Sequence, residues 1–400
     1  MSDGERVRFR QLSNTGRLAI RSEFLFGFGV GVWSIVLNFQ LSFCGMTDSQ
    51  IGTLLSVGYL VTAFVSFFAG RLGERFGYPL VMVCGNLMMG LAYAVLAFSR
   101  TICPFYLGHM LYSAGMACSM SMEYNLPLSQ LQENQKQYAY NMVLVQYFMG
   151  SIAGNLSCGL GIRLLRSCRN PYRYLLLFAG VIYIVLAAIR MRIPRRNYDL
   201  SGRKESRVYA SLLAQKRVRG YLLYGFLSMG LLIMVTGMLN LLLRSRFRMP
   251  DTDIGMIFTI NSLIGCAMLM LLPLLIRKFS LFKISSFVMA LQLCVLAAMA
   301  IPSRTFFVPM IFLRTMLCNI LYTSADAPML RSVEESARGT YSGIRVFSNY
   351  LGMSAASLLS GIVLQTQKYL LLFAICSGIA LAQNLVYHLS CAGSLKKIRT

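Results

Sequence analysis

Long apolar runs, each bounded by charged residues, glycine or proline, divide the chain. They fall at 24–44, 51–69, 79–98, 104–130, 139–162 and 171–190, then at 219–243, 253–276, 281–301, 305–330, 340–365 and 368–390. Runs of about 20 apolar residues cross the hydrocarbon layer as helices, whereas outer-membrane strands alternate over about 10 residues. The pattern predicts an all-α membrane protein with twelve transmembrane helices. An even number of spans puts both termini on one side. The first run has no small-residue cleavage pattern before the second, so it is expected to stay in place as the first helix.

Composition agrees. Of 400 residues, 56% are hydrophobic and 13% charged, against about 25% charged in soluble domains. Mean hydropathy is +0.60, which excludes a soluble enzyme with one anchor and a disordered polymer.

The net charge of +24 comes from 38 Lys and Arg against 14 acids, and its placement assigns it to topology. With the termini cytoplasmic, 26 of the basic residues fall in cytoplasmic segments, 10 in the opposite loops, and Arg314 and Arg345 inside spans. That asymmetry orients a multi-pass protein in the cytoplasmic membrane. The cations are scattered over short loops with no contiguous face, so no nucleic-acid partner is expected. The lipid bilayer is the expected surroundings, and a monomer the expected state.

The eleven Cys form no CxxC pair and read as buried thiols. His109 and His388, the only two His, fall near opposite membrane faces, so no metal site is expected. No GxxxxGK[ST] loop is present, which argues against ATP drive within this chain, and no nucleophile, base or metal cluster at one depth suggests an enzyme. No cofactor is expected.

The two sets of six spans repeat. MTDSQIG from Met46 recurs as MPDTDIG from Met249, and Leu72, Arg75 and Phe76 recur as Leu275, Lys278 and Phe279, all 203 residues on. Pro127 and Glu133 pair with Pro328 and Glu334 at an offset of 201. The expected organisation is a six-helix bundle over 1–190, a basic cytoplasmic linker over 191–218 and a second bundle over 219–400. Two like-oriented halves can enclose a cavity and rock about it, which points to transport.

Within this frame GRLGERFGYPL, Gly70 to Leu80, resembles the loop signature between the second and third helices of the major facilitator superfamily, in a bacterial-type form. Gly70, Leu72, Arg75 and Gly77 match it; Glu74 stands where the pattern has Asp, and Tyr78 and Pro79 where it has a basic pair. The resemblance implies two pseudo-symmetric six-helix bundles and a cytoplasmic latch. Gly70 is read as permitting close helix approach, Gly77 a tight turn, and Glu74 with Arg75 an ion pair at the inner surface. The superfamily's proton-driven drug exporters usually carry an Arg in the fourth helix and a Gly-Pro signature in the fifth. Here the fourth has no Arg and the fifth has glycines without the Pro.

Polar residues inside spans tend to face the bundle interior, a partner or water, and so mark candidate sites. Ser34, Asn38 and Ser42 share one face of the first helix, and Thr236 and Asn240 repeat the first two at an offset of 202. Gln146 in the fifth helix, and Arg314, Asn319 and Tyr322 in the tenth, complete the cavity candidates. Arg314 lies about 13 Å into its helix at 1.5 Å per residue. It is satisfied either by backbone carbonyls and water or by an anionic substrate group. An inner gate is expected from Gly70, Glu74, Arg75, Gly77, Glu123, Asp326 and Arg345, with Glu334 and Glu335 as further partners for Arg345. Glu23 is read as opening the first helix, so that no carboxylate sits at mid-membrane.

The sequence thus points to a secondary active transporter moving a small-molecule substrate across the cytoplasmic membrane by alternating access. A proton-coupled efflux carrier is one form of it, with protons as the coupling partner. A lipid or amphiphile flippase and a non-transporting sensor are alternatives on the same fold.

Overall fold

The computed structural model describes residues 9–123, 126, 130–194, 211–278, 280–321, 329, 333 and 338–391. Among these there is no strand. The long helices are α1 (Asn14–Phe43), α2 (Asp48–Phe76), α3 (Tyr78–Phe98), α4 (Ile102–Met122), α5 (Glu133–Leu164) and α6 (Pro171–Arg190). They are followed by α7 (Lys216–Thr236), α8 (Leu239–Phe247), α9 (Asp251–Lys278), α10 (Leu281–Ala300), α11 (Arg304–Leu321), α12 (Arg338–Gln365) and α13 (Tyr369–Val386). Ten helices among the described residues are long and apolar enough to cross a membrane. α4 and α9 stand where the fourth and eighth spans are expected, and α7 with α8 make up the seventh. Large apolar side chains such as Phe98, Leu107, Phe178, Phe287 and Leu370 are exposed, the outward-facing greasy surface that a bilayer stabilises and water does not.

The chain forms two compact units, Met1–Gln40 with Phe68–Ser201, and Leu41–Phe67 with Gly202–Thr400. Helix α2 therefore contributes to both.

In the first unit, α1 begins at Asn14, ten residues before the expected start. The Ser13 hydroxyl accepts from the Gly16 amide at 3.0 Å and donates to the Gln130 carbonyl at 3.0 Å. These bonds start the helix and tie it to the turn before α5. Leu12 and Ile20 bury themselves against Leu131, Ala139 and Val143. Glu23 is thus the tenth residue of α1, not its start.

The repeat seen in the sequence is also a repeat in packing. In the first unit Gly150 of α5 lies directly against the carbonyl of Phe24 in α1, leaving no room for a Cβ. In the second unit Gly352 of α12 lies in the same way against the carbonyl of Phe226 in α7, and both residues are 202 positions on. Small residues let helix backbones approach closely where apolar burial gives no advantage over lipid.

The N-terminal part of α2 packs on α12 within the second unit. Ser56 and Ser354 share a hydrogen bond of 2.7 Å, and one turn away on both helices Tyr59 stacks on Tyr350 with ring centres 6.3 Å apart.

Candidate solute pocket and buried ionic cluster

The second unit holds a cavity of about 240 Å³ lined by Ser228, Leu232 and Thr236 of α7, Asn261 of α9, Gln292 of α10, and Thr315 and Asn319 of α11, among others. Its polar lining among the described residues is made of hydroxyls and amides, with the free thiol of Cys318 beside them. Thr315 Oγ1 donates to Asn261 Oδ1 at 2.7 Å, and Asn319 Nδ2 donates to the Thr315 carbonyl at 3.1 Å. Amides offer donors and acceptors together, so the pocket is chemically able to bind an uncharged polar group.

No charged side chain among the described residues lines this pocket. Arg314, 2% exposed, reaches α7, where one terminal nitrogen donates to the carbonyls of Leu231 at 2.7 Å and Leu232 at 3.1 Å. Those carbonyls belong to the last turns of α7, which stops at Thr236 and restarts as α8 at Leu239. Three other contacts finish the same end. Thr236 Oγ1 donates to Leu232 O at 2.8 Å, the Gly237 amide to Ile233 O at 2.8 Å and Ser360 Oγ to Met234 O at 3.0 Å. A guanidinium at the negative end of a helix satisfies both the carbonyls and the dipole. Asn240 is buried just past the break, where its Oδ1 accepts from the Leu241 amide at 3.0 Å. Thr236 and Asn319 therefore line the pocket, while Arg314 and Asn240 are engaged at the helix break. Tyr322 lies outside the described residues.

On α1, Ser34 Oγ donates to Gly31 O at 2.8 Å and to Asn155 Oδ1 of α5 at 3.2 Å. Asn38 is buried within the first unit and Gln146 is half-buried. The one Trp of the chain, Trp33, stacks on Tyr112 and His109 of α4 with interplanar angles of 6° and 7°. No group of His, Cys, Asp and Glu among the described residues could hold a metal ion.

Of the expected inner-gate residues, Gly70, Arg75, Gly77 and Glu123 belong to the first unit and Arg345 to the second. A methyl at Gly70 would meet nothing within 4 Å among the described residues, so the close approach expected there is not made by them. It occurs at Gly73, against the sulfur of Met122. Gly77 has φ 89° and makes the turn from α2 into α3, a conformation that favours glycine. Arg75 is exposed with its guanidinium 5.3 Å from the Phe76 ring. The Glu74 side chain lies outside the described residues, as do Asp326, Glu334 and Glu335. Arg345, on α12, is half-buried with a buried Nε that has no hydrogen-bond partner among the described residues.

Glu123 belongs to a cluster that charge counting by loops did not reveal. Arg190, the last residue of α6, is fully buried and pairs with Glu23 at 2.6 Å, neither side chain being exposed. Its Nε donates to Ser22 Oγ at 3.1 Å and its Nη1 to Asn86 Oδ1 at 3.4 Å. Ser119 Oγ donates to the same Asn86 oxygen at 3.1 Å. Glu123, 5% exposed at the end of α4, lies within electrostatic reach of both Glu23 and Arg190. By sequence alone Arg190, at the end of the sixth apolar run and followed by Arg192, Arg195 and Arg196, counts among the cytoplasmic cations. Gln292 and Asn261 were missed as single amides in otherwise apolar runs, a signal present in the sequence.

This architecture is that of a multi-pass membrane protein. A sequence profile described as the Major Facilitator Superfamily matches residues 22–357. The chain belongs to that superfamily. A relative in Bacillus subtilis (strain 168), named Multidrug resistance protein 2, is 23% identical over 254 residues, covering 61% of this chain and 62% of that protein. The matched stretch thus spans less than two thirds of the relative's length. Among solved structures, a variant of nucleoside transporter NupG superposes with a TM-score of 0.81 at 12% identity, over 94% of this chain and 100% of the other. Another NupG structure gives 0.77 at 13% identity, over 97% and 100%. At such identities these likenesses show the fold.

Proposed function

We propose that this protein is a secondary transporter of the cytoplasmic membrane, with both termini cytoplasmic, and that it moves a small uncharged solute by alternating access. The observation that carries the substrate class is the pocket of the second unit, whose polar lining among the described residues is hydroxyl, amide and one thiol while Arg314 is engaged by carbonyls. A charged ligand there would lose its hydration without an ion to replace it, whereas a neutral hydrogen-bonding solute would exchange water for amide partners. The volume suits a small solute or one polar part of a larger one.

Proton-coupled efflux is the form of transport favoured here. The relative's name supports export, and the buried acidic cluster of the first unit supplies groups able to carry a proton. Reconstitution tests both parts. Proteoliposomes loaded with neutral, anionic and cationic radiolabelled solutes should show saturable flux of a neutral compound that accelerates under an imposed pH gradient. Flux confined to anions would overturn the substrate class. A flippase on the same fold would instead move a fluorescent lipid between leaflets and leave water-soluble compounds untouched.

A further inference from the structure

Three ionisable side chains in the first unit are buried together, and their charges do not balance. Glu23 is 0%, Arg190 0% and Glu123 5% exposed, so two carboxylates share one guanidinium. The other described groups nearby are neutral. They are Asn86 from α3, Ser119 from α4, Ser22 from α1, and the phenols Tyr183 of α6 and Tyr147 of α5. Arg21, next along α1, is exposed with its guanidinium over the Phe9 ring.

Hydrogen bonding shows the same imbalance. Arg190 is committed to Glu23 Oε1, Ser22 and Asn86. Glu23 Oε2 and Asn86 Nδ2 are buried with no hydrogen-bond partner among the described residues, one acceptor and one donor left open beside the pair. An extra buried negative charge is costly unless it is neutralised, and protonation is the cheapest way to neutralise it.

Packing does not demand this cluster. The repeat places Gly225 of the second unit at the position of Glu23, 202 residues on, and Gly225 packs there against Asn349. The same helix contact, anchored by Gly352 on Phe226 as by Gly150 on Phe24, is thus built without a carboxylate.

We infer that the Glu23–Arg190–Glu123 cluster is a binding site for one exchangeable proton, carried on Glu123 while Glu23 remains ionised against Arg190. The inference deepens the transport reading, since it locates the coupling ion. The proton comes from water at the end of the bundle where α4 and α6 terminate. Binding forms one O–H bond on the Glu123 carboxyl, and release returns the proton to water with no other bond changed.

The arrangement makes a stoichiometric forecast that an isolated buried acid would not. Infrared spectra of the purified full chain in lipid should contain a protonated carboxyl band at neutral pH that shifts in D2O and disappears at alkaline pH. Glu123→Gln should remove it. Glu23→Gln should remove it too, because Glu123 then becomes the partner of Arg190 and ionises. Arg190→Gln should double the band, since both carboxyls must then be neutral.

Absence of the band in the wild-type protein, or its persistence in Glu123→Gln, would overturn the inference. Loss in Glu123→Gln with persistence in Glu23→Gln would overturn the sharing. If one Gln variant fails to fold, the other still decides whether the cluster holds the proton. Transport is read separately. The expected bands together with flux indifferent to a pH gradient would uphold the proton site and remove proton drive, whereas pH-driven flux without the bands would remove the site alone.

Discussion

Glu23 and Arg190 stand 167 residues apart in the chain and form an ion pair of 2.6 Å, with neither side chain exposed. They join the first and last helices of the first unit, and Asn86 links the pair to α3. Truncating one partner of a buried pair leaves an uncompensated charge, which costs about 3–5 kcal/mol. Arg190→Gln should therefore lower the melting temperature markedly in detergent. Glu23→Gln should cost less, because Glu123 can take over the guanidinium. Equal losses in the two variants would show that Glu123 is too far away to do so.

The glycine contacts make a paired prediction. Gly150→Ala and Gly352→Ala force a methyl into a neighbouring carbonyl, and each should destabilise its unit by about 1–3 kcal/mol. Gly70→Ala, where the methyl meets nothing within 4 Å among the described residues, should fall within about 0.5 kcal/mol of wild type. Thermal unfolding of the three variants checks this, and a Gly70→Ala variant as unstable as the others would restore the close approach that the loop signature suggests.

Arg314 and the pocket separate by their effects. Arg314→Gln removes the donor to Leu231 and Leu232 and should lower stability while leaving the preference between neutral and anionic solutes unchanged. Thr315→Val or Gln292→Leu should instead weaken uptake of a neutral solute about tenfold, the value of one lost hydrogen bond of ~1.4 kcal/mol. Competition assays on purified protein measure both. A gain or loss of anion selectivity in Arg314→Gln would make Arg314 a ligand-binding residue.

Topology is open to the protein's own cysteines. With the termini cytoplasmic, Cys103 at the start of α4 and Cys168 between α5 and α6 face the outer aqueous side. A membrane-impermeant maleimide applied to intact cells should label Cys103, which is exposed, fastest. Cys44, in the turn between α1 and α2, should react slowly, since burial pushes its thiol up and reduces the reactive thiolate. Labelling of Cys103 only after permeabilisation would reverse the orientation.

Much of the architecture is written locally. Apolar run length sets where helices form, because a backbone in hydrocarbon must satisfy its own hydrogen bonds. The 203-residue echo of MTDSQIG in MPDTDIG announces two like units, and Gly77 marks its turn by the backbone angle it adopts. Polar residues in the spans flagged Thr236 and Asn319 of the pocket for the same reason, that a polar group in a membrane helix seeks a partner or water.

What tertiary structure alone decided is which of those groups meet. Arg190 reads as one more cytoplasmic cation until α6 packs against α1 and α3, and Arg314 reads as a waiting anion site until α7 breaks at Gly237 and offers its carbonyls. Glu23 reads as a boundary until Ser13 starts the helix ten residues earlier. Periodicity and hydropathy are sums over neighbours in sequence, and they fix helices. The state of a buried charge depends on one or two atoms within about 3 Å, and those atoms come from other helices far along the chain.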